Sequence, residues 1–357
     1  MKHGVAFAGL LLLFLGPSAQ AEKAVLAATP TVSSAIAAQY VHPHQLIDIG
    51  NGRKLNLFCM GKGSPTVIFD SGLSDWSVIW ALVQPGVSAH TRACTYDRAG
   101  MGYSSPSDEL RSPIGIIEDL QKLIHAAKIA TPVVLVGHSF GGFDVKLYAV
   151  LHPKEVAGLV LMDPLEERSV ARTYDALRAK YGTSMAAEVE LRYSPQVAQD
   201  VSDYERCAAT ARTHDLNPAS DVYKNCTDPA WPPMGPIIAA ERQKIQVKRL
   251  YQDTQAAELA HSAAGDPRSD DIYARLFSGH ALEDKPLIVL THSIPDSNEP
   301  VDTADLFGWN YAHERTAALS TRGVNRMVPE THHNIEVDRP QAIVDAVNEV
   351  LKDVVNK

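Results

Sequence analysis

Residues 133–143 read Val133-Val134-Leu135-Val136-Gly137-His138-Ser139-Phe140-Gly141-Gly142-Phe143. Four consecutive apolar residues are the mark of a strand covered on both faces. Phe143–Leu151 has a helical pattern. Between them lies a single G-x-S-x-G, Gly137 to Gly141. A strand that turns sharply into a helix needs glycines where the two segments cross. The serine between them is projected above the sheet, with the helix N-terminus behind it. Ser139 is therefore the candidate nucleophile.

Outward from this turn, strands and helices alternate. Gln45–Ile49 and Lys54–Cys59 read as strands joined at Asn51-Gly52, a hairpin signal. Thr66–Asp70, Thr91–Tyr96 and Gly158–Met162 follow as strands. Pro113–Lys128 reads as a helix, with Ser112 as its cap and Pro113 at its first position. Residues 165–284 hold no convincing strand. Helical stretches at 166–180 and 237–260 are separated there by polar, proline-rich pieces. Alternation resumes with a strand at Pro286–Leu290, a helix at 309–320, a strand near 323–328 and a last helix at 340–353. Two α/β blocks flanking a helical stretch predict a parallel sheet with an insertion.

The 357 residues are 45% hydrophobic and 21% charged, with a formal net charge of -9. This composition excludes collagen, coiled coil and wholesale disorder. No basic run is present, so nucleic acid is not an expected partner. Lys2, the apolar stretch Val5–Leu15 and Ala19-Gln20-Ala21 read as a signal peptide cleaved after Ala21. No other apolar stretch is long enough to span a bilayer. Residues 22–44 read as a linker or loosely docked arm. Export gives the four cysteines a role, because disulfides persist in oxidising compartments. Of three possible pairings, Cys59–Cys94 and Cys207–Cys226 are favoured. The first joins two expected strands, and the second joins sequence neighbours in one polar region. No cysteine or histidine spacing suggests zinc.

A serine needs a base. His332 and His333 lie between the last expected strand and the last helix, where a loop can lean over the sheet. One of them is the candidate base. His138 is built into the nucleophile turn and is expected to pack there.

Taken together, these stretches resemble the α/β-hydrolase superfamily, in a serine-nucleophile branch with a cap domain. Thr66-Val-Ile-Phe-Asp-Ser71-Gly72-Leu73 resembles the strand and oxyanion loop. Tyr96-Asp97-Arg98-Ala99-Gly100-Met-Gly102-Tyr-Ser104 resembles the family's YDxRGxGxS stretch. Gly137–Gly142 resembles the nucleophile elbow, and Leu159–Pro164 the strand after it. His333-x6-Pro340 resembles the catalytic histidine and the proline opening the next helix, and this spacing selects His333 over His332. The resemblance covers 45–164 and 285–355.

It implies a mostly parallel, eight-stranded-type α/β-hydrolase sheet with helices on both faces. The core would be 45–164 and 285–357, and 165–284 a largely helical cap. The strands of Cys59 and Cys94 would be neighbours. The oxyanion donors would be the backbone N–H groups of Phe140 and Leu73, although Asp70-Ser71-Gly72 stands where many relatives have His-Gly. The acid is less marked. Asp163 ends the sixth strand, and Asp296 lies in the loop after the seventh; Asp163 is preferred, with Glu299 and Asp302 behind both. Asp97-Arg98 reads as a structural salt bridge, and Trp76 as either pocket wall or core.

The expected activity is that of an exported serine hydrolase cleaving a small-molecule ester or related acyl bond through an acyl-enzyme. It requires no metal or organic cofactor. The alternative is a proline-iminopeptidase-like aminopeptidase, for which Glu166, Glu167, Glu188 and Glu190 are the acids available to hold an amine. A third reading is a non-catalytic binding protein on the same fold. Substrate identity, oligomeric state and the choice of periplasm or medium are not legible.

Overall fold

The computed structural model describes residues 31–355 apart from 168 and 230. The expected signal peptide lies outside the described residues. Eight strands form one sheet: β1 (Gln45–Asp48), β2 (Lys54–Met60), β3 (Val67–Asp70), β4 (Ala93–Tyr96), β5 (Val133–His138), β6 (Val156–Met162), β7 (Leu287–Thr291) and β8 (Gly323–Met327). Their spatial order is β1-β2-β4-β3-β5-β6-β7-β8. β2 pairs antiparallel with β1 and with β4, and every later pairing is parallel.

The continuous apolar runs have a plain cause. Successive side chains on a strand point to opposite faces, and both faces of this sheet are covered. Val133 and Leu135 of β5 pack toward helices α3 (Pro113–Ala126) and α4 (Ser139–Leu151), through Ile117, Leu120, Leu123, Val145 and Leu147. Val134 and Val136 face the other way, onto Ile343, Val347 and Val350 of α14 (Pro340–Val355). Ser112 caps α3 by accepting the Gly115 N–H at 3.3 Å.

Cys59 and Cys94 sit opposite each other in the β2–β4 register and are bridged. Cys207 and Cys226 form a second disulfide, 19 residues apart in sequence. A loop of that size is worth roughly 3 kcal/mol in the chain-entropy account.

Part of the expected arm is a docked helix, α1 (Ser34–Tyr40). Ser33 caps it, and Tyr40 is buried and donates to Gln84 Oε1 at 2.6 Å. Between β6 and β7 the described residues hold only helices: α5 (Ser169–Tyr181), α6 (Thr183–Tyr193), α7 (Gln196–Ala211), α8 (Asp221–Asn225), α9 (Gly235–Gln246), α10 (Arg249–Ala260) and α11 (Pro267–Leu276). The single stretch expected at 237–260 is two helices. Lys248 is extended, and the Val247 carbonyl accepts the Leu216 N–H at 3.0 Å instead of continuing a helix. The next helix, α12, runs Pro300–Ala317 and so begins well before the expected 309. Among the described residues no helix is long and apolar enough to cross a membrane.

Candidate active site

The loops leaving the carboxyl ends of β3, β5, β6, β7 and β8 converge, as they do at the ligand-binding edge of parallel sheets. Ser139 is the first residue of α4 and takes φ +49°, a conformation unfavourable for a residue with a side chain. Crowding enforces it. A Cβ on Gly137 would stand 2.5 Å from the Gly141 carbonyl oxygen, and one on Gly141 would stand 2.4 Å from the Ser71 carbonyl oxygen. Phe140 is the second residue of α4, so its N–H belongs to the first turn, where donors lack intrahelical partners. Leu73, Ser139, His292 and His333 line one cavity of about 560 Å³.

Asp163 follows β6 directly, is fully buried and also has positive φ, +42°. Its Oδ2 accepts from His333 Nδ1 at 3.0 Å and from His292 Nδ1. Its Oδ1 accepts the His292 backbone N–H at 3.2 Å and Trp309 Nε1–H at 3.1 Å. Burial alone would raise this carboxyl. The histidines His292 and His333 outweigh that and hold it far below the usual carboxylate range. His292 shows the reverse balance: burial lowers it, but Asp163 raises it above the ordinary histidine value. Because a carboxylate only accepts, both Nδ1 atoms carry hydrogen. Among the described residues, Asp163, His292 and His333 are also the one trio whose ligand atoms gather closely enough for a cation. The hydrogen bonds described here already use those atoms.

His138 braces the same loops. Its Nε2–H donates to the His333 carbonyl oxygen at 3.0 Å, and Nδ1 lies 3.1 Å from Glu336 Oε1. Burial lowers His138 to about 3 and raises Glu336 well above its ordinary value. His332 turns away, toward Asp338 at 3.2 Å.

Other sequence candidates are placed elsewhere. Asp296 lines the cavity, but no hydrogen bond joins it to His333 among the described residues. Asp302 accepts from Tyr193 at 2.6 Å, and the exposed Glu299 pairs with Arg192. Asp97 accepts the Ser77 and Tyr103 N–H groups at 3.0 and 2.9 Å, a turn-holding role. Trp76 is core. The glutamates considered for an amine site do not reach the cavity. Glu166 and Glu167 surround the buried ammonium of Lys146, at 2.7 and 3.4 Å, and Glu188 and Glu190 are exposed. The cavity wall instead carries Asp75, Asp200, Asp228, Asp296, Asp302 and Asp305. Sequence reading missed His292 and Trp309. The only available signal was a histidine immediately following a strand's carboxyl end.

The sequence model described as alpha/beta hydrolase fold matches residues 65–223. The chain is 32% identical over 118 residues to 2-hydroxymuconate semialdehyde hydrolase of Pseudomonas sp. (strain CF600), covering 32% of this chain and 41% of that protein. It spans less than half the length of the curated relatives it matches. A thermophilic esterase from Thermogutta terrifontis superposes with a TM-score of 0.53 at 16% identity, over 88% of this chain and 99% of that one. The epoxide hydrolase CorEH does so with a TM-score of 0.55 at 17% identity, over 87% and 98%. Two different chemistries on one architecture mean that these likenesses speak to fold alone. Sheet order and the strained turn at Ser139 agree with the family stretch matched at residues 65–223: the chain has the α/β-hydrolase fold.

Proposed function

We propose that the protein is a serine hydrolase that cleaves a small-molecule carboxylic ester or related acyl bond. The observation that carries this reading is the hydrogen bond from His333 to a buried Asp163 beside a serine on a strained turn. His333 takes the Ser139 proton as the hydroxyl oxygen attacks the carbonyl carbon. Asp163 holds the imidazole with Nδ1–H inward and stabilises the imidazolium. The N–H groups of Phe140 and Leu73 receive the oxyanion, each worth roughly 10²–10³ in rate. His333 then protonates the leaving group, and water releases the acyl group by the same steps. The helices between β6 and β7 act as a cap, and the nucleophile elbow supplies no carboxylate of the kind Asp-dependent epoxide hydrolysis uses.

The acidic cavity wall supports a second reading, an aminopeptidase of proline-iminopeptidase type whose substrate carries a free amine. Its amine would meet aspartates rather than the glutamates expected from sequence. Export with cleavage after Ala21 agrees with the two disulfides.

Fluorophosphonate labelling with adduct mapping by mass spectrometry tests the proposal. The adduct is expected on Ser139 of the wild-type protein and absent from Ser139→Ala and His333→Ala. The mature chain in the same spectrum should begin at Glu22. Neutral p-nitrophenyl esters should turn over faster than aminoacyl p-nitroanilides, and the reverse preference would select the second reading. A folded protein that neither labels nor hydrolyses either class is a binding protein.

A further inference from the structure

The Asp163 carboxylate serves two imidazoles. His333 and His292 both direct Nδ1 at the same oxygen, Oδ2, while Oδ1 is filled by the His292 N–H and Trp309. The two rings stand perpendicular, with centroids 6.4 Å apart, and both line the cavity. They are not equivalent. His333 packs 4.8 Å from His138, next to the nucleophile, and the His292 side chain is the more buried of the two. A third histidine nearby takes no share. The buried His313 directs Nε2 at the Pro164 carbonyl oxygen at 3.1 Å, and that bond uses its proton, so its Nδ1, 3.7 Å from Asp163, has no hydrogen to offer.

We infer that His292 is a positioning residue that weakens the base by dividing the Asp163 carboxylate between two imidazoles. The inference rests on the proposed triad. A catalytic base held by an undivided buried carboxylate keeps its proton to higher pH. A second imidazole on the same oxygen withdraws part of that support, and when protonated it adds a like charge close by. The base is then free of its proton further into the acid range, at the expense of some driving force for proton abstraction.

Several other groups face the pair. His292 is flanked by Asp296 from its own loop and by Asp305 and His313 from α12. His333 is faced by His138 and by Asp228 from the helical segment. Two of these carboxyls titrate near neutrality. Burial, with Asp296 adding to it, pushes Asp305 up to about 7. Burial, with Asp75 adding to it, pushes Asp228 up to about 6.

The test is the pH dependence of kcat/KM for a neutral p-nitrophenyl ester, measured on wild type, His292→Asn and His292→Ala. Asn keeps an N–H donor near the Nδ1 position without the titrating ring. The acid limb is expected to move up by about one pH unit in His292→Ala, so that activity on that limb falls about tenfold, and to move less in His292→Asn, whose N–H still shares the carboxylate. The Ser139 adduct should be retained. A limb that stays put or moves down in His292→Ala overturns the inference, as does one that moves further in Asn than in Ala. If Asp305→Asn or Asp228→Asn abolishes the limb, the limb does not belong to the base and the inference falls. Failure of the underlying triad looks different: activity would survive Ser139→Ala, or would survive His333→Ala while being lost in His292→Ala.

Discussion

Asp163→Asn should lower kcat/KM for any ester the enzyme turns over by about 10⁴-fold while leaving the protein folded. Asn tolerates the left-handed backbone that Asp163 adopts, at φ +42°. The difference lies in hydrogen-bond polarity. Four N–H groups converge on the carboxylate: His333 Nδ1, His292 Nδ1, the His292 backbone and Trp309 Nε1. An amide offers one oxygen and one NH2, so at least one pair of donors meets another donor. An imidazole there must change tautomer or turn away, and the His333 imidazolium loses its counter-charge. Asp296→Asn is the matched control and should stay within a few-fold of wild type, because no hydrogen bond ties Asp296 to His333 among the described residues. Steady-state kinetics beside thermal melts check both. If Asp296→Asn is the crippled variant and Asp163→Asn is not, the acid is misassigned.

Arg98→Met should cost about 3–5 kcal/mol of stability, the usual result of stripping one partner from a buried charge pair. That is a large part of the roughly 5–15 kcal/mol that holds a typical protein together. The Arg98 side chain is 2% exposed and faces Asp70 at 2.9 Å and Glu258 at 2.9 Å, which are 1% and 0% exposed. It also donates to the Ser71 and Gly72 carbonyl oxygens at 2.5 and 2.8 Å, in the loop just before Leu73. Without the guanidinium, two interior carboxylates lose their main partner and that loop loses its anchor. Arg98→Lys should recover little, because one ammonium cannot cover acceptors arranged around a planar fork. Urea denaturation measures the loss, and a midpoint equal to wild type would show that the cluster contributes nothing net.

Much of this was legible in sequence. The elbow at Gly137–Gly141 and the His333-x6-Pro340 spacing are local patterns, and a strand buried on both faces reads as an apolar run. Elements held by tertiary contacts were read less well. α4 begins at Ser139 rather than Phe143, because the two glycines, poor helix formers, are kept helical by the close crossing beneath them. Choosing Asp163 over Asp296 depends on where α12 brings Trp309 and where β7 brings His292, more than 120 residues downstream. The cavity wall was out of reach for a related reason. Its aspartates come from several separate segments, and glutamates close together in sequence, such as Glu166 and Glu167, serve instead to neutralise Lys146.

The helices α9 and α10 are clasped to the loops after β3 and β4 by polar contacts at several points. Arg242 meets Asp75, Tyr103 donates to Glu241 at 2.8 Å, and Ser74 donates to Gln255 at 2.8 Å. Tyr251 donates to the Ser74 carbonyl oxygen at 2.9 Å, and Glu258 reaches Arg98. A hinged lid would open many times for each global unfolding event. These two helices would have to break interior ion pairs to do so, which makes them part of the same cooperative unit as β5 and β6. Their amide protons should exchange with solvent as slowly as those of the central strands, through whole-molecule unfolding rather than local opening. Evolution has fewer options there than in the other helices between β6 and β7: a change in α9 or α10 made for a new substrate would also disturb the loop that carries Leu73.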